Sequence, residues 1–184
     1  AAAIQHLWPQ ACFGVGPVIE NGFYYDVLLP NPLTEADLDK IATAMRKIKK
    51  KKTRFVKTLV PIEQAKSRMQ AINQPFKVEL LELLESKGTT AIQKAVSDDK
   101  AAAIETSETG IPEISFYQTG NFLDLCRGPH VDHSGEIGHF ALHKLSGAYW
   151  RGDDTRQQLQ RIYGLCFPSQ ESLAAEIKRL EQLK

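Results

Sequence analysis

Cysteine is scarce in this chain. Its three thiols, Cys12, Cys126 and Cys166, are widely spaced and form no Cys-x-x-Cys pair. An odd, scattered set argues against a disulfide framework and fits a reducing compartment. No apolar run approaches the roughly 18 residues a membrane helix needs, and no charged-then-apolar leader opens the sequence. An excess of one charge is lacking too: 23 Lys and Arg stand against 22 Asp and Glu, for a net charge of +1. Global charge therefore favours neither nucleic acid nor membrane, and any electropositive surface must come from local segregation. Gly14-Val15-Gly16-Pro17 lacks the third glycine of a dinucleotide fingerprint, and its proline would obstruct a following helix. These absences predict a soluble, cytoplasmic protein.

With 184 residues, 42% of them apolar, the chain can bury a real core. The pattern predicts one domain over 1–184 with a peripheral insertion at about 86–110, low in aromatics and carrying a surface helix over 91–104. Ile4, Leu7 and Trp8 share one stripe of an opening helix that has no N-cap, and the final helix, capped by Ser169, has no C-cap. Both features predict that the natural protein continues beyond each end. Asn21-Gly22 signals a hairpin, leading into an aromatic strand, Phe23-Tyr24-Tyr25-Asp26-Val27-Leu28-Leu29. Thr34 and Asp37 form a capping box ahead of a helix with Leu38, Ile41, Met45 and Ile48 on its apolar face.

That helix ends in eight basic residues within twelve positions: Arg46, Lys47, Lys49, Lys50, Lys51, Lys52, Arg54 and Lys57. Cations suit a helix C-terminus, but so many exceed what the dipole needs, and phosphate contact is an equally good reading. Lys77, near the start of another helix, is electrostatically misplaced. It is either exposed or aimed into a site. His133, His139 and His143 fall on different loops and faces and are expected to be structural.

The chemistry concentrates in Asn121-Phe122-Leu123-Asp124-Leu125-Cys126-Arg127-Gly128-Pro129-His130-Val131, where a thiol, an imidazole, a carboxylate and a guanidinium fall within seven residues. Alternation along a strand puts Asp124 and Cys126 on one face. Gly128-Pro129 then turns the chain and can return His130 toward Cys126. Cys-x-x-x-His alone is compatible with a core thiol and a loop histidine, with half of a metal site, or with a thiol–imidazole pair.

Four ordered blocks add a resemblance. They are Gly16-Pro17-Val18-Ile19-Glu20-Asn21-Gly22-Phe23-Tyr24-Tyr25-Asp26, Leu125-Cys126-Arg127-Gly128-Pro129-His130-Val131, Gly147-Ala148-Tyr149-Trp150-Arg151-Gly152-Asp153 and Leu159-Gln160-Arg161-Ile162-Tyr163-Gly164. Together they resemble the editing domain of the threonyl-tRNA synthetase family, related to the alanyl type. The resemblance implies an α+β fold, an antiparallel sheet with helices packed on it. It also implies hydrolysis of seryl-tRNA(Thr), within a parent ligase that uses ATP. Serine lacks one methyl of threonine, worth only ~1–3 kcal/mol of discrimination, so a second and smaller hydrolytic site is needed.

By the same resemblance, Lys77, Cys126, His130, Tyr25 and Asp124 would form the pocket, with Lys77 stabilising the oxyanion and His130 ordering the water. A family His-x-x-x-His would lie just before Ala1, so the fragment would hold part of the pocket. No cofactor is expected here; Cys126 and His130 would ligate metal only if upstream ligands joined them. ATP, Mg and a zinc site would belong to the missing catalytic core. Implied partners are the serine-charged acceptor end of tRNA(Thr), with phosphate contacts at Lys47, Lys49, Lys50, Lys51 and Lys52, and a second copy of a homodimeric parent. The alternatives are a freestanding trans-editing hydrolase, a non-catalytic RNA-binding module using 47–57, and a thiol hydrolase using Cys126.

Overall fold

A computed structural model describes residues 1–87, 104–106 and 112–183. The described elements are helices α1 (Ala2–Leu7), α2 (Glu35–Lys51), α3 (Ile62–Ala71), α4 (Pro75–Lys87) and α5 (Gln170–Glu181). The strands are β1 (Cys12–Phe13), β2 (Val18–Ile19), β3 (Gly22–Leu28), β4 (Val56–Pro61), β5 (Ile104–Thr106), β6 (Pro112–Thr119), β7 (Phe122–Leu125), β8 (His139–Tyr149) and β9 (Gln158–Phe167). The fold is α+β, as the resemblance implied, but with two antiparallel sheets rather than one.

The first sheet runs β1-β3-β9-β8, with β2 also on β3; in the second, β6 is flanked by β4 on one side and by β5 and β7 on the other. Residue alternation gives the first sheet two buried faces. Phe13, Val27 and Ile162 pack beneath α1 and α2, against Ile4, Leu38 and Ile41. Leu159 on the opposite face joins Trp150, Phe76 and Leu81, together with Ile114 and Phe116 of the second sheet. Burial on both faces of one sheet places its central strands deep in the molecule, where their apolar side chains contribute most.

Register is fixed by polar pairs as well as by apolar ones. Asp26 lies opposite Arg161 and accepts a bidentate fork from it at 2.7 and 2.9 Å. A one-residue slip would leave that buried carboxylate unpaired, at high cost. The α2 capping box forms as expected, Thr34 N donating to Asp37 Oδ2 at 2.9 Å.

The helix α4 is held from two directions. Before it, the buried amide of Gln74 accepts from Phe13 N at 2.8 Å and donates to Ala11 O at 3.0 Å, and Pro75 opens the helix where its missing N–H costs nothing. Farther along, Glu79 accepts from Trp150 Nε1 at 2.9 Å, Arg151 at 2.8 Å and Arg156 at 2.5 Å.

Two expectations need correction. The hairpin turn sits on Glu20-Asn21, one residue earlier than Asn21-Gly22, because Ile19 pairs with Gly22 and Asn21 takes the positive φ of 62°. Ile104 lies in β5, paired with Ile114, not in a helix; the rest of the helix expected over 91–104 lies outside the described residues. The central strand β6 carries no expectation from the sequence at all. No helix among the described residues is long and apolar enough to cross a membrane.

Candidate active site

The strand β7 carries Asp124 to where the start of α4 and the middle of β3 converge. Lys77 Nζ lies 2.7 Å from Asp124 Oδ1 and 3.2 Å from the Tyr25 hydroxyl. The Tyr25 hydroxyl donates to Asp124 Oδ2, and Leu125 N donates to Oδ1 at 2.8 Å. Lys77 is only 4% exposed. A cation is found at this helix start because a carboxylate waits there, not because it is solvated. Of the three ammonium protons, Asp124 and Tyr25 engage two.

Room for Tyr25 comes from the glycine-punctuated segment before it. A Cβ on Gly16 would stand 2.1 Å from the Tyr25 ring, so the ring lies flat on bare backbone. Phe13 meets it edge-on at 5.8 Å. Burial raises the Tyr25 pKa well above its ordinary value, and the Asp124 carboxylate adds to the effect. The phenol therefore stays protonated and donates a hydrogen bond to Asp124.

Two residues on, the chain leaves β7 and bends. Cys126 N donates to Ser115 O at 3.2 Å, and the buried Ser115 hydroxyl donates to Cys126 O at 2.5 Å. Gly128 takes a φ of 78°, which glycine adopts without strain. His130 Nε2 returns to within 3.1 Å of Cys126 Sγ, and Gly128 N donates to the same sulfur at 3.3 Å. Burial raises the Cys126 pKa, with the Gly128 hydrogen bond pulling the other way. Burial lowers the His130 pKa, against the pull of Asp124. At neutral pH the pair is thus a thiol beside a neutral imidazole, not a thiolate–imidazolium ion pair.

This protonation state predicts slow alkylation. Iodoacetamide should modify Cys126 more slowly at pH 7 than a free peptide thiol, with the rate still climbing above the ordinary thiol pKa. Mass mapping of the Cys126 peptide across pH checks this; full modification at the free-thiol rate would contradict it.

The structure brings the five residues singled out in the sequence into two contacting groups, Lys77–Asp124–Tyr25 and Cys126–His130, linked electrostatically through Asp124. Cys126 feels the charges of both Asp124 and Lys77, and His130 feels Asp124. Of the three histidines beyond the bend, His133 meets Glu136 at 3.2 Å and accepts from Gly135 N. No three His, Cys, Asp or Glu side chains gather into a metal-binding group among the described residues. In the basic run, Lys49 Nζ is occupied by Gly138 O at 2.9 Å, while Lys50, Lys51 and Lys52 are exposed.

Sequence reasoning missed the residues around the bend. Phe55 and Tyr117 both pack on His130, with ring centroids 5.1 and 4.1 Å away, and Ser115 and Gln74 hold the backbone. A signal for β6 was present: aromatic Phe116-Tyr117 runs into Gly120-Asn121, a two-residue hairpin turn.

Comparison with known proteins places a family match on this part of the chain. Residues 114–163, covering β6, the bend and most of β9, match the threonyl and alanyl tRNA synthetase second additional domain. That stretch carries the match to this family of aminoacyl-tRNA synthetase domains. The similar curated proteins are threonine–tRNA ligases: that of Acetivibrio thermocellus is 39% identical over 184 residues, and ligase 1 of Bacillus subtilis 41% over 184. That of Gloeobacter violaceus is 39% identical over 186 residues. Each match covers 100% of this chain but only 25% or 26% of the relative, so the chain spans about a quarter of their length.

Proposed function

We propose that this chain is the editing part of a threonine–tRNA ligase and hydrolyses the ester of serine mischarged onto tRNA(Thr). The observation that carries the reading is the buried Lys77–Asp124–Tyr25 triangle standing beside a neutral His130. Ester hydrolysis needs a positioned water, a group to take its proton and a fixed positive charge for the developing oxyanion. A neutral imidazole can orient water and accept its proton. The unengaged ammonium proton of Lys77 can meet the oxyanion, while Asp124 and Tyr25 hold that ammonium in place. A hydrolytic site smaller than the synthetic one would refuse the added methyl of threonine sterically while admitting serine.

The exposed ammonium groups of Lys50, Lys51 and Lys52 on α2 and beyond would steer the acceptor stem through phosphate contacts; Lys49 instead braces the loop at Gly138. In the parent ligase, ATP would be used elsewhere.

The test is deacylation of Ser-tRNA(Thr) and Thr-tRNA(Thr) by the full-length ligase. Serine should be released at least about tenfold faster than threonine, since one methyl carries that much discrimination. Cys126→Ala should retain most of the rate, because the thiol is protonated and no covalent step uses it. Binding of tRNA without release of serine would overturn the reading in favour of a non-catalytic module. Loss of turnover in Cys126→Ala, together with an acylated Cys126 trapped in the unmodified enzyme, would favour a thiol hydrolase.

A further inference from the structure

The bend raises a question that the pocket residues leave open: what holds the imidazole still. His130 sits on an exposed turn after Gly128-Pro129, and its polar contact is the 3.1 Å approach of Nε2 to the Cys126 sulfur. A thiol is a weak hydrogen-bonding partner. A water-ordering base, in contrast, must be held to a fraction of an ångström, since small misplacements cost large factors in rate.

The restraint comes from β6. Tyr117 pairs with Asp124 across the β6–β7 ladder, and directly opposed residues point to the same face of a sheet. Its ring therefore rises on the side where the carboxylate and the bend lie. The ring centroid stands 4.1 Å from that of His130, tilted by 41°. Its hydroxyl end reaches over the backbone of Gly128, where a Cβ would lie 2.2 Å from the phenolic oxygen. One side chain thus fills the inside angle of the bend, touching Gly128 on one arm and His130 on the other. Phe55 packs on the same imidazole at 5.1 Å and 29°, anchored by Phe55 N donating to Asp132 O at 3.0 Å.

We propose that Tyr117 is a positioning residue, which fixes the plane and height of the His130 imidazole beside Cys126 through its aromatic face. The contact with His130 is ring on ring, so the aromatic surface carries the role and the hydroxyl does not. Aromatic contacts of this separation add to burial and orient both rings. The same packing keeps water from part of the imidazole, consistent with its neutral form. Residue type matters more than size: a leucine could fill the volume without fixing the plane.

The kinetic half of the test rests on the proposed hydrolysis; the spectroscopic half does not. Histidine-labelled chain carrying Tyr117→Leu should show His130 ring protons moved downfield, as the ring current of the phenol is lost. Its titration midpoint should rise toward the ordinary imidazole value, while backbone amide shifts outside the bend stay in place. Tyr117→Phe should keep both signatures. In the full-length ligase, Tyr117→Leu should lower kcat for Ser-tRNA(Thr) deacylation by about tenfold with KM within about twofold, as expected for a misaligned base. Tyr117→Phe should restore most of kcat. If Tyr117→Leu does not fold, Tyr117→Met, an unbranched filler, replaces it. Unchanged His130 signals in the leucine or methionine variant would overturn the proposal, as would an undiminished kcat in an active enzyme. An inactive wild-type ligase would overturn the hydrolysis reading alone, with the ring-proton shifts still deciding the part played by Tyr117.

Discussion

Lys77→Met should destabilise the folded chain by about 3–5 kcal/mol, the usual cost of stranding one partner of a buried ion pair. The side chains of Lys77 and Asp124 are 5% and 15% exposed, so water cannot replace the lost ammonium. The remaining carboxylate would keep only the Tyr25 hydroxyl and Leu125 N. Urea unfolding should report a lower midpoint at an unchanged slope. Adding Asp124→Asn removes the second charge and should return much of the lost stability. Serine release should stay abolished in both variants, because the oxyanion has no cation to meet. A loss below about 1 kcal/mol for Lys77→Met would be the cost of a surface pair and would contradict the burial described for this triangle.

His130→Ala is expected to behave in the opposite manner, with stability nearly intact and serine release down by about 10²-fold or more, the usual contribution of a positioned acid–base group. The ring lies on an exposed turn, so its removal leaves no deep cavity. The pH profile of the unmodified enzyme carries a matching signature. As pH falls, the imidazole takes up a proton and can no longer accept one from water, so the rate declines. Burial lowers the His130 pKa, so this decline should begin at a lower pH than the ordinary imidazole value would give. An acid limb centred at or above that ordinary value, or a His130→Ala enzyme within about threefold of the parent, would remove His130 from the proposed reaction.

Much of the architecture was legible in the residues because local and long-range signals agreed. The capping box at Thr34 and Asp37, the alternation of β9 and the serine cap on α5 each specify one element without help from elsewhere. Lys77 was legible through its misfit, a cation at a helix start whose compensation had to lie outside the helix. What stayed hidden depended on pairing. Ile114-Ser115-Phe116 is buried on both faces, so β6 lacks the alternation that marks a half-exposed strand. Without β6, nothing in the sequence said that Ser115 would hold the Cys126 backbone or that Tyr117 would reach Gly128. Phe55 was equally silent, because its contact with His130 joins residues 75 positions apart. The hairpin at 20–21 moved by one position because Asn21 accepts a positive φ as readily as the glycine after it could.

Glu79 gathers Trp150, Arg151 and Arg156 onto one carboxylate, on the same helix whose first turn carries Lys77. With the Gln74 amide fastened to Ala11 and Phe13 on the other side, α4 is bolted at both flanks and cannot slide or rotate to follow a ligand. In the proposed reaction, its ammonium group would stand ready before an acceptor end arrives, with little reorganisation energy left to spend when the ester enters. Loosening that anchorage from afar, by Glu79→Gln, should slow the chemistry without touching a single atom of the cleft.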